Sequence, residues 1–333
     1  MFEMDDTEML TPSAGSSPRA LPPPAPGTCC AYDAAGDRVV LATPSPPSDG
    51  VHDDDDDDAG TLSVLATADL TAGTWTRVAA TTHTPRPTAV AFFPPEASTP
   101  TVAVADSGGR VTLYDPVDLS VRAVLPVCAG PLAAVVARRR ALFTGGADGI
   151  LRVHTPNEDG DPGSWGGWSL GAALDVSDGG RAVPITALAV DEAAAVVAAA
   201  AADGAVRLYA RSRGTDYVRV GVCVSSEEAD TEDAPGVPLT AVDVRVGGVA
   251  GGWGAVDGSG GGGGRRRRGG VVLAVAGDAS GSVRLWRAEL GGIPGGWGGG
   301  SADMDALAPE VVWDEAAGSA GAAGGGGIAS EAG

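Results

Sequence analysis

Three imidazoles in this 333-residue sequence have the chemistry of a general base or a zinc ligand: His52, His83 and His154. Acid–base or metal chemistry would need such an imidazole beside Cys, Asp, Glu or a second His at a spacing that converges their donor atoms. None of the three has a neighbouring Cys or acidic residue at metal-ligand spacing. His52 falls in a predicted loop, His83 in a linker between strands, and His154 at a strand end within "LRVHTP". The four cysteines, Cys29, Cys30, Cys128 and Cys223, show neither metal-ligand spacing nor a disulfide framework, so reduced thiols are expected. No Gly-x-Ser-x-Gly, phosphate-binding loop or dinucleotide fingerprint survives inspection. The sequence therefore predicts no enzyme, no cofactor and no metal site, with catalytic residues none.

Two charge runs remain. Asp53–Asp58 has the composition to attract a cation or a basic peptide, and Arg265–Arg268 that to touch phosphate or an import receptor; both read first as solvated loops. A third cluster, Arg138–Arg140, falls at a predicted strand-to-strand turn on the surface. The formal charge of −21 argues against nucleic acid or anionic lipid as general partners, because either polyanion would be repelled over most of the surface. All the basic residues are Arg, and Gly and Ala tracts run throughout, which marks a composition bias across the whole chain. The beginning, "MFEMDDTEML", lacks a basic region followed by an apolar run, and the small-apolar run Ala193–Ala202 is about half a membrane span. No signal peptide and no membrane insertion are expected.

The elements that must position all of these residues repeat. Aligned on a glycine, five segments match: "GTLSVL" at Gly60, "GRVTLY" at Gly109, "GILRVH" at Gly149, "GAVRLY" at Gly204 and "GSVRLW" at Gly281. In each, the second and fourth residues after Gly are aliphatic, the alternation of a strand with one buried face. A short apolar segment precedes four of these glycines, so those four units hold a hairpin, and Asp148-Gly149 and Asp203-Gly204 predict type I′ turns with positive φ. A third strand lies upstream ("PTAVAFF", "PLAAVVA", "PITALAV", "PLTAVDV"), with Pro where no ladder donor is needed. A looser fourth follows downstream, as in "LSVRAVLPV" and "YVRVGVCVS".

Four strands per unit, at a period near 40 to 45 residues once insertions are removed, resembles the WD40 family of β-propellers. The resemblance covers residues 28–290, with Tyr114, Tyr209 and Trp286 at the position of the family's signature Trp. Leu65 and His154 occupy two further signature positions, and no Gly-His dipeptide opens a repeat, so the family's buried Asp-His-Ser-Trp network is not expected here. The fold expectation is all-β: a WD40-like propeller of five recognisable four-stranded blades, open or incomplete.

Around it, residues 1–27 with "LPPPAPG" predict a disordered Pro-rich segment, and disordered insertions fall near 44–59 and 247–270. Residues 291–333 form a Gly/Ala-rich tail with one further strand predicted at 309–315. Five blades fall short of the family's usual seven, and an open ring leaves bare edges that favour pairing with another chain. What the fold implies is a non-catalytic scaffold for protein partners, with binding residues that one sequence does not disclose. Within the family, the fifth unit resembles the small propeller of the nuclear pore's outer-ring, Y-shaped complex. It carries Val237-Pro238-Leu239 and Val242-Asp243 ahead of "AVAGDASGSVRLW", and weak signatures and a long first-hairpin insertion accompany it. That resemblance implies nucleoporins as partners, a place in the nucleus or nuclear envelope, and a role in nucleocytoplasmic transport. The alternative is an adaptor or substrate receptor of a ubiquitin ligase or signalling complex.

Overall fold

The structure, a computed structural model, describes residues 29–33, 38–44, 59–69, 74–93, 100–139, 141–157, 167–177, 182–213, 216–224, 237–248, 270–290 and 310–315. They form twenty strands in five antiparallel sheets of four, with no α-helix among the described residues. Blade 1 is β1 (Cys29–Asp33), β2 (Arg38–Pro44), β3 (Gly60–Asp69) and β4 (Thr74–His83); blade 2 is β5 (Pro87–Phe92), β6 (Val102–Asp106), β7 (Arg110–Tyr114) and β8 (Val121–Pro126). Blade 3 is β9 (Leu132–Arg138), β10 (Ala141–Gly146), β11 (Ile150–Pro156) and β12 (Trp168–Asp175). Blade 4 is β13 (Ile185–Val190), β14 (Val196–Ala201), β15 (Ala205–Arg213) and β16 (Asp216–Val224). Blade 5 is β17 (Leu239–Gly248), β18 (Gly270–Asp278), β19 (Val283–Leu290) and β20 (Glu310–Glu315).

Within each sheet, chain order is spatial order, and the first strands β1, β5, β9, β13 and β17 pack successively against one another. This is the radial arrangement that the repeat predicts, in an open all-β propeller-like fold. Among the described residues no comparable packing joins blade 5 to blade 1, so the ring is not closed.

The turns between second and third strands differ from the sequence expectation. Positive φ is confined to the glycines (Gly109, Gly149, Gly204 and Gly281), while Asp148 and Asp203 keep ordinary backbone. In each, the glycine N–H donates to the carbonyl three residues earlier, for example Gly149 to Gly146 at 3.1 Å. That places Gly last in the turn, as in a turn closed by a bulge, rather than in a type I′ pair. An added Cβ on Gly109 would sit 2.6 Å from the Gly130 carbonyl oxygen and closer still to that of Cys128. The freed carbonyls are used: Gly109 accepts from Val127 and Gly149 from Val176, both at 3.0 Å. Gly60 is no turn residue; it begins β3, opposite Pro44.

The recurrent prolines also acquire a reason. Pro131, Pro184 and Pro238 precede β9, β13 and β17, and their carbonyls accept the N–H groups of Ala147, Ala202 and Ala279 at 2.9 to 3.0 Å. Each hairpin is thereby tied to its blade's first strand through a residue that has an acceptor to give and no donor to leave unpaired.

The core consists of four layers, one between each pair of successive blades. Blades 1 and 2 share Val40, Leu62, Val64, Val102 and Tyr114. Blades 2 and 3 share Ala103, Val111, Leu113, Leu132 and Leu142. Blades 3 and 4 bury Phe143, Leu151, Val153, Ala199 and Tyr209, and blades 4 and 5 bury Val206, Leu208, Ala274 and Trp286. Counted from the glycine, the second and fourth residues face the next blade, while the aromatic fifth residue faces the previous one. Small Ala residues on the second strands let these wedge-shaped sheets approach closely, which explains the alanine run of β14, buried throughout.

Candidate functional site

Two places in the molecule gather chemistry: a sealed polar cluster between blades 1 and 2, and the unpacked faces on either side of the open ring. The first begins at His83, the last residue of β4. Its Nδ1 lies 2.6 Å from the Tyr114 hydroxyl on β7, and its Nε2 lies 3.6 Å from Oδ2 of Asp106, the last residue of β6. Asp106 Oδ1 accepts the Arg110 backbone N–H at 2.9 Å, and Oδ2 sits 3.4 Å from Arg110 Nε. Burial alone would raise the Asp106 carboxyl, but His83, the Arg110 N–H and the Arg110 charge together hold it below the ordinary carboxylate range. Burial, then the Asp106 charge, push the Tyr114 hydroxyl up to about 12, so it stays protonated. A carboxylate only accepts, so His83 Nε2 carries the hydrogen that points at Asp106, and its Nδ1 shares a hydrogen bond with the Tyr114 hydroxyl.

His83 is 3% exposed and Asp106 1%, so this Tyr–His–Asp line holds a strand end of blade 1 against the hairpin of blade 2. The four-residue Asp-His-Ser-Trp network is not formed here, and this shorter line stands in part of its place. Tyr supplies the polar tip that the family's Trp supplies, and His83 arrives from the strand end rather than from a Gly-His pair. Asp106 at the first position of the turn, the position that Asp278 holds in blade 5, was the signal available in the sequence.

Blades 3 and 4 use the third turn position instead. Arg152 Nη2 meets Asp148 Oδ2 at 2.7 Å, and Arg207, almost wholly buried, grips both oxygens of Asp203 at 2.6 and 3.1 Å. Such forked pairing satisfies the charge where the side chain leaves water. His154 is buried at the signature position, 3.4 Å from the Thr144 hydroxyl. Burial, then the neighbouring Arg152 charge, lower its imidazole to about 4, so it is neutral. Arg138 is half-buried, and its Nε donates to the Val190 carbonyl at 3.2 Å, joining blade 3 to blade 4. Arg139, exposed, takes the left-handed turn position with φ 51.

All four cysteines are free thiols. Burial, then the Cys30 charge, push Cys29 up to about 11, and burial pushes Cys223 up to about 12. Among the described residues, no group of three His, Cys, Asp or Glu is placed to hold a metal, and no helix is long and apolar enough to cross a membrane. His52, Asp53–Asp58, Arg140 and Arg265–Arg268 lie outside the described residues, as do residues 1–27.

The second place is the seam. On blade 5, Val283 and Leu285 hold the second and fourth positions after the glycine, paired to Gly277 and Val275. Their equivalents are fully buried everywhere else: Val111 and Leu113, Leu151 and Val153, Val206 and Leu208. Here Val275, Val283 and Leu285 stay half-buried and Leu273 is 38% exposed, in company with Asp243, Arg245 and Arg287. On blade 1 the opposite face is only partly covered: Val39 and Leu41 pair with Leu65 and the buried Ser63, where blade 2 has Val102 and Val104 with Tyr114 and Thr112. Val39, Leu41 and Leu65 are half-buried, and Tyr32, opposite Val39, is 52% exposed. Each end of the ring thus presents the apolar face that elsewhere forms a core layer. Sequence reasoning did not find these residues, because their alternation is that of the buried blades.

Fold and seam together define an open propeller-like protein with a partly covered apolar sheet face at each end of its row of blades. No protein-family model matches the chain, nor does any curated protein. Among solved structures, the crystal structure of Chaetomium thermophilum Raptor is similar over 86% of this chain and 20% of that one, at 11% identity and a TM-score of 0.50. This chain therefore spans about a fifth of that protein's length, and a likeness at this identity shows the fold alone.

Proposed function

We propose that this protein is a non-catalytic scaffold of the WD40 type that docks partner proteins through its open seam. Its most specific role, on the resemblance carried by Val237–Leu239, Val242-Asp243 and the fifth hairpin, is as a structural component of the nuclear pore's outer-ring complex, at the nucleus or nuclear envelope. The observation that supports docking is the pair of unpacked sheet faces: an exposed apolar patch rimmed by charge is the usual mark of an interaction surface. A rigid ring with two such faces can hold a partner by completing its core layers, which needs no reacting group.

Affinity purification with mass spectrometry, comparing the natural chain with Leu285→Arg, tests this reading. Outer-ring nucleoporins recovered with the natural chain and lost with the variant are expected. Recovery of cullin-ligase subunits instead would move the protein to the adaptor class, and an identical set from both chains would remove the seam as the docking face.

A further inference from the structure

We propose that the outer edge of blade 3, strand β12, is a docking edge for an extended segment of another protein, which adds to that sheet as a fifth strand. The segment has apolar side chains at alternate positions and an Arg or Lys at the end that meets Asp175. This edge belongs to the middle blade of the row and uses none of the residues of the seam.

The last strand of a sheet turns a row of backbone N–H and C=O groups outward, and proteins blunt such edges with charge, proline or bulges. Four of the five outer strands here are blunted in this way. β4 has Arg77 and two register breaks, and β8 has Arg122 and Pro126. β16 has Asp216, Arg219 and two register breaks, and β20 has Glu310, Asp314 and Glu315. The proline of β8 sits where it blocks most. Val127 N–H donates to the Gly109 carbonyl, so in the alternating antiparallel ladder Pro126, opposite Arg110, turns outward, where its ring nitrogen offers no donor. β12, "WSLGAALD", is uncharged from Trp168 to Leu174. Of these devices it has one, a register break that steps over Gly171.

The same alternation fixes where the β12 groups point. Val176 N–H donates to Gly149 and Asn157 N–H to Gly167. The bonded pairs are therefore Leu174 with Leu151, Ala172 with Val153 and Ser169 with Thr155. The N–H and C=O groups of Leu170 and Ala173 point away from β11, out of the sheet edge. Both residues are exposed, Leu170 at 55%. Leu170 shares a face with Trp168, whose ring lies 5.5 Å from that of Phe93 in blade 2. An added strand would set an apolar side chain opposite Leu170, at the spacing where cross-strand pairs interact. Main-chain bonds would supply affinity, and this pairing would supply selectivity. Asp175, exposed at the end of β12, would meet the basic residue. A chain of charge −21 attracts such a segment and repels a second copy of itself, whose own β12 has no Arg to offer.

A fluorescein-labelled octapeptide, Arg-Val-Thr-Val-Thr-Val-Thr-Arg, serves as the probe, basic at both ends so that either strand direction brings Arg to Asp175. Its anisotropy is followed on titration with the full chain, and saturable binding at one site is expected. N-methylation of the probe along both edges keeps its side chains and removes its ladder donors; binding should weaken on the order of tenfold or more. Ala173→Pro and Leu170→Lys, both at exposed edge positions, should have a similar effect, and Asp175→Asn a smaller one. The methylated probe decides the matter even if Ala173→Pro disturbs the fold. Equal binding of the methylated probe overturns the proposal, as does binding indifferent to Ala173→Pro and Leu170→Lys, or no binding. Equal binding of a probe with Glu at both ends overturns the assignment of a basic partner. Loss with Leu285→Arg but not with Ala173→Pro would move the probe to the seam and overturn the proposal. A concentration-dependent dimer of the chain alone, broken by Ala173→Pro, would give the edge to a second copy, with the same result.

Discussion

Leu208 and Leu285 occupy the same place in successive blades, fourth after the turn glycine, on a third strand paired with a second strand. Leu208 is 1% exposed beneath blade 5, whereas Leu285 looks into the seam half-buried. The local structure is the same and only the neighbour differs. Burial in this fold is thus decided by blade order, one level above the strand alternation that builds each sheet.

The sharpest way to break this comparison is to truncate both residues. Leu208→Ala should lower unfolding stability by about 2 to 5 kcal/mol, the range for a buried leucine leaving a cavity, and Leu285→Ala by less than about 1 kcal/mol. Urea denaturation measures both. Equal losses would mean that the seam face is covered in solution.

A second measurement uses pH. His154 is neutral when folded, with its pKa lowered to about 4 from 6.5. Below 6.5 the unfolded chain takes up a proton that the folded blade refuses, so stability is full above that value and declines as pH falls towards 4. The whole loss is roughly 3 kcal/mol at 1.4 kcal/mol per pKa unit. His154→Gln should flatten this part of the profile, and a natural-chain profile no steeper than the variant's would place His154 in water.

The smallest expected effect concerns the signature position itself. Tyr114→Phe removes the hydroxyl 2.6 Å from His83 Nδ1 and strands a buried nitrogen, at about 1 to 2 kcal/mol. Leu65→Ala, at the same place on blade 1, should change stability by less. Thermal melts that show Leu65→Ala as the more damaging substitution would put a layer where the ring is open.

The sheets were legible because period-2 alternation and turn glycines act within a few residues of each other. Five repeats could be read from "GAVRLY" and its relatives, and each opens as expected into a four-stranded unit. The turn type was not legible, since Asp-Gly fits both a type I′ pair and a turn that ends in a bulge. Only the backbone φ of Asp148 and Asp203 decides between them. His83 was placed in a linker because its partners, Asp106 and Tyr114, lie 23 and 31 residues further along the chain and meet it only when two blades dock. The seam escaped for the converse reason: Val283, Leu285, Val39 and Leu41 are written like core residues.

One further consequence follows from sheets built solely of consecutive strands. In a ring latched by interleaving its two termini, a cut near either end loosens the whole circle. Here, among the described residues, no blade borrows a strand from a distant part of the chain, and each blade packs against its immediate neighbours. Blades can therefore assemble one after another as the polypeptide leaves the ribosome, and a pull on either end would strip them in sequence, like beads from an unclasped bracelet.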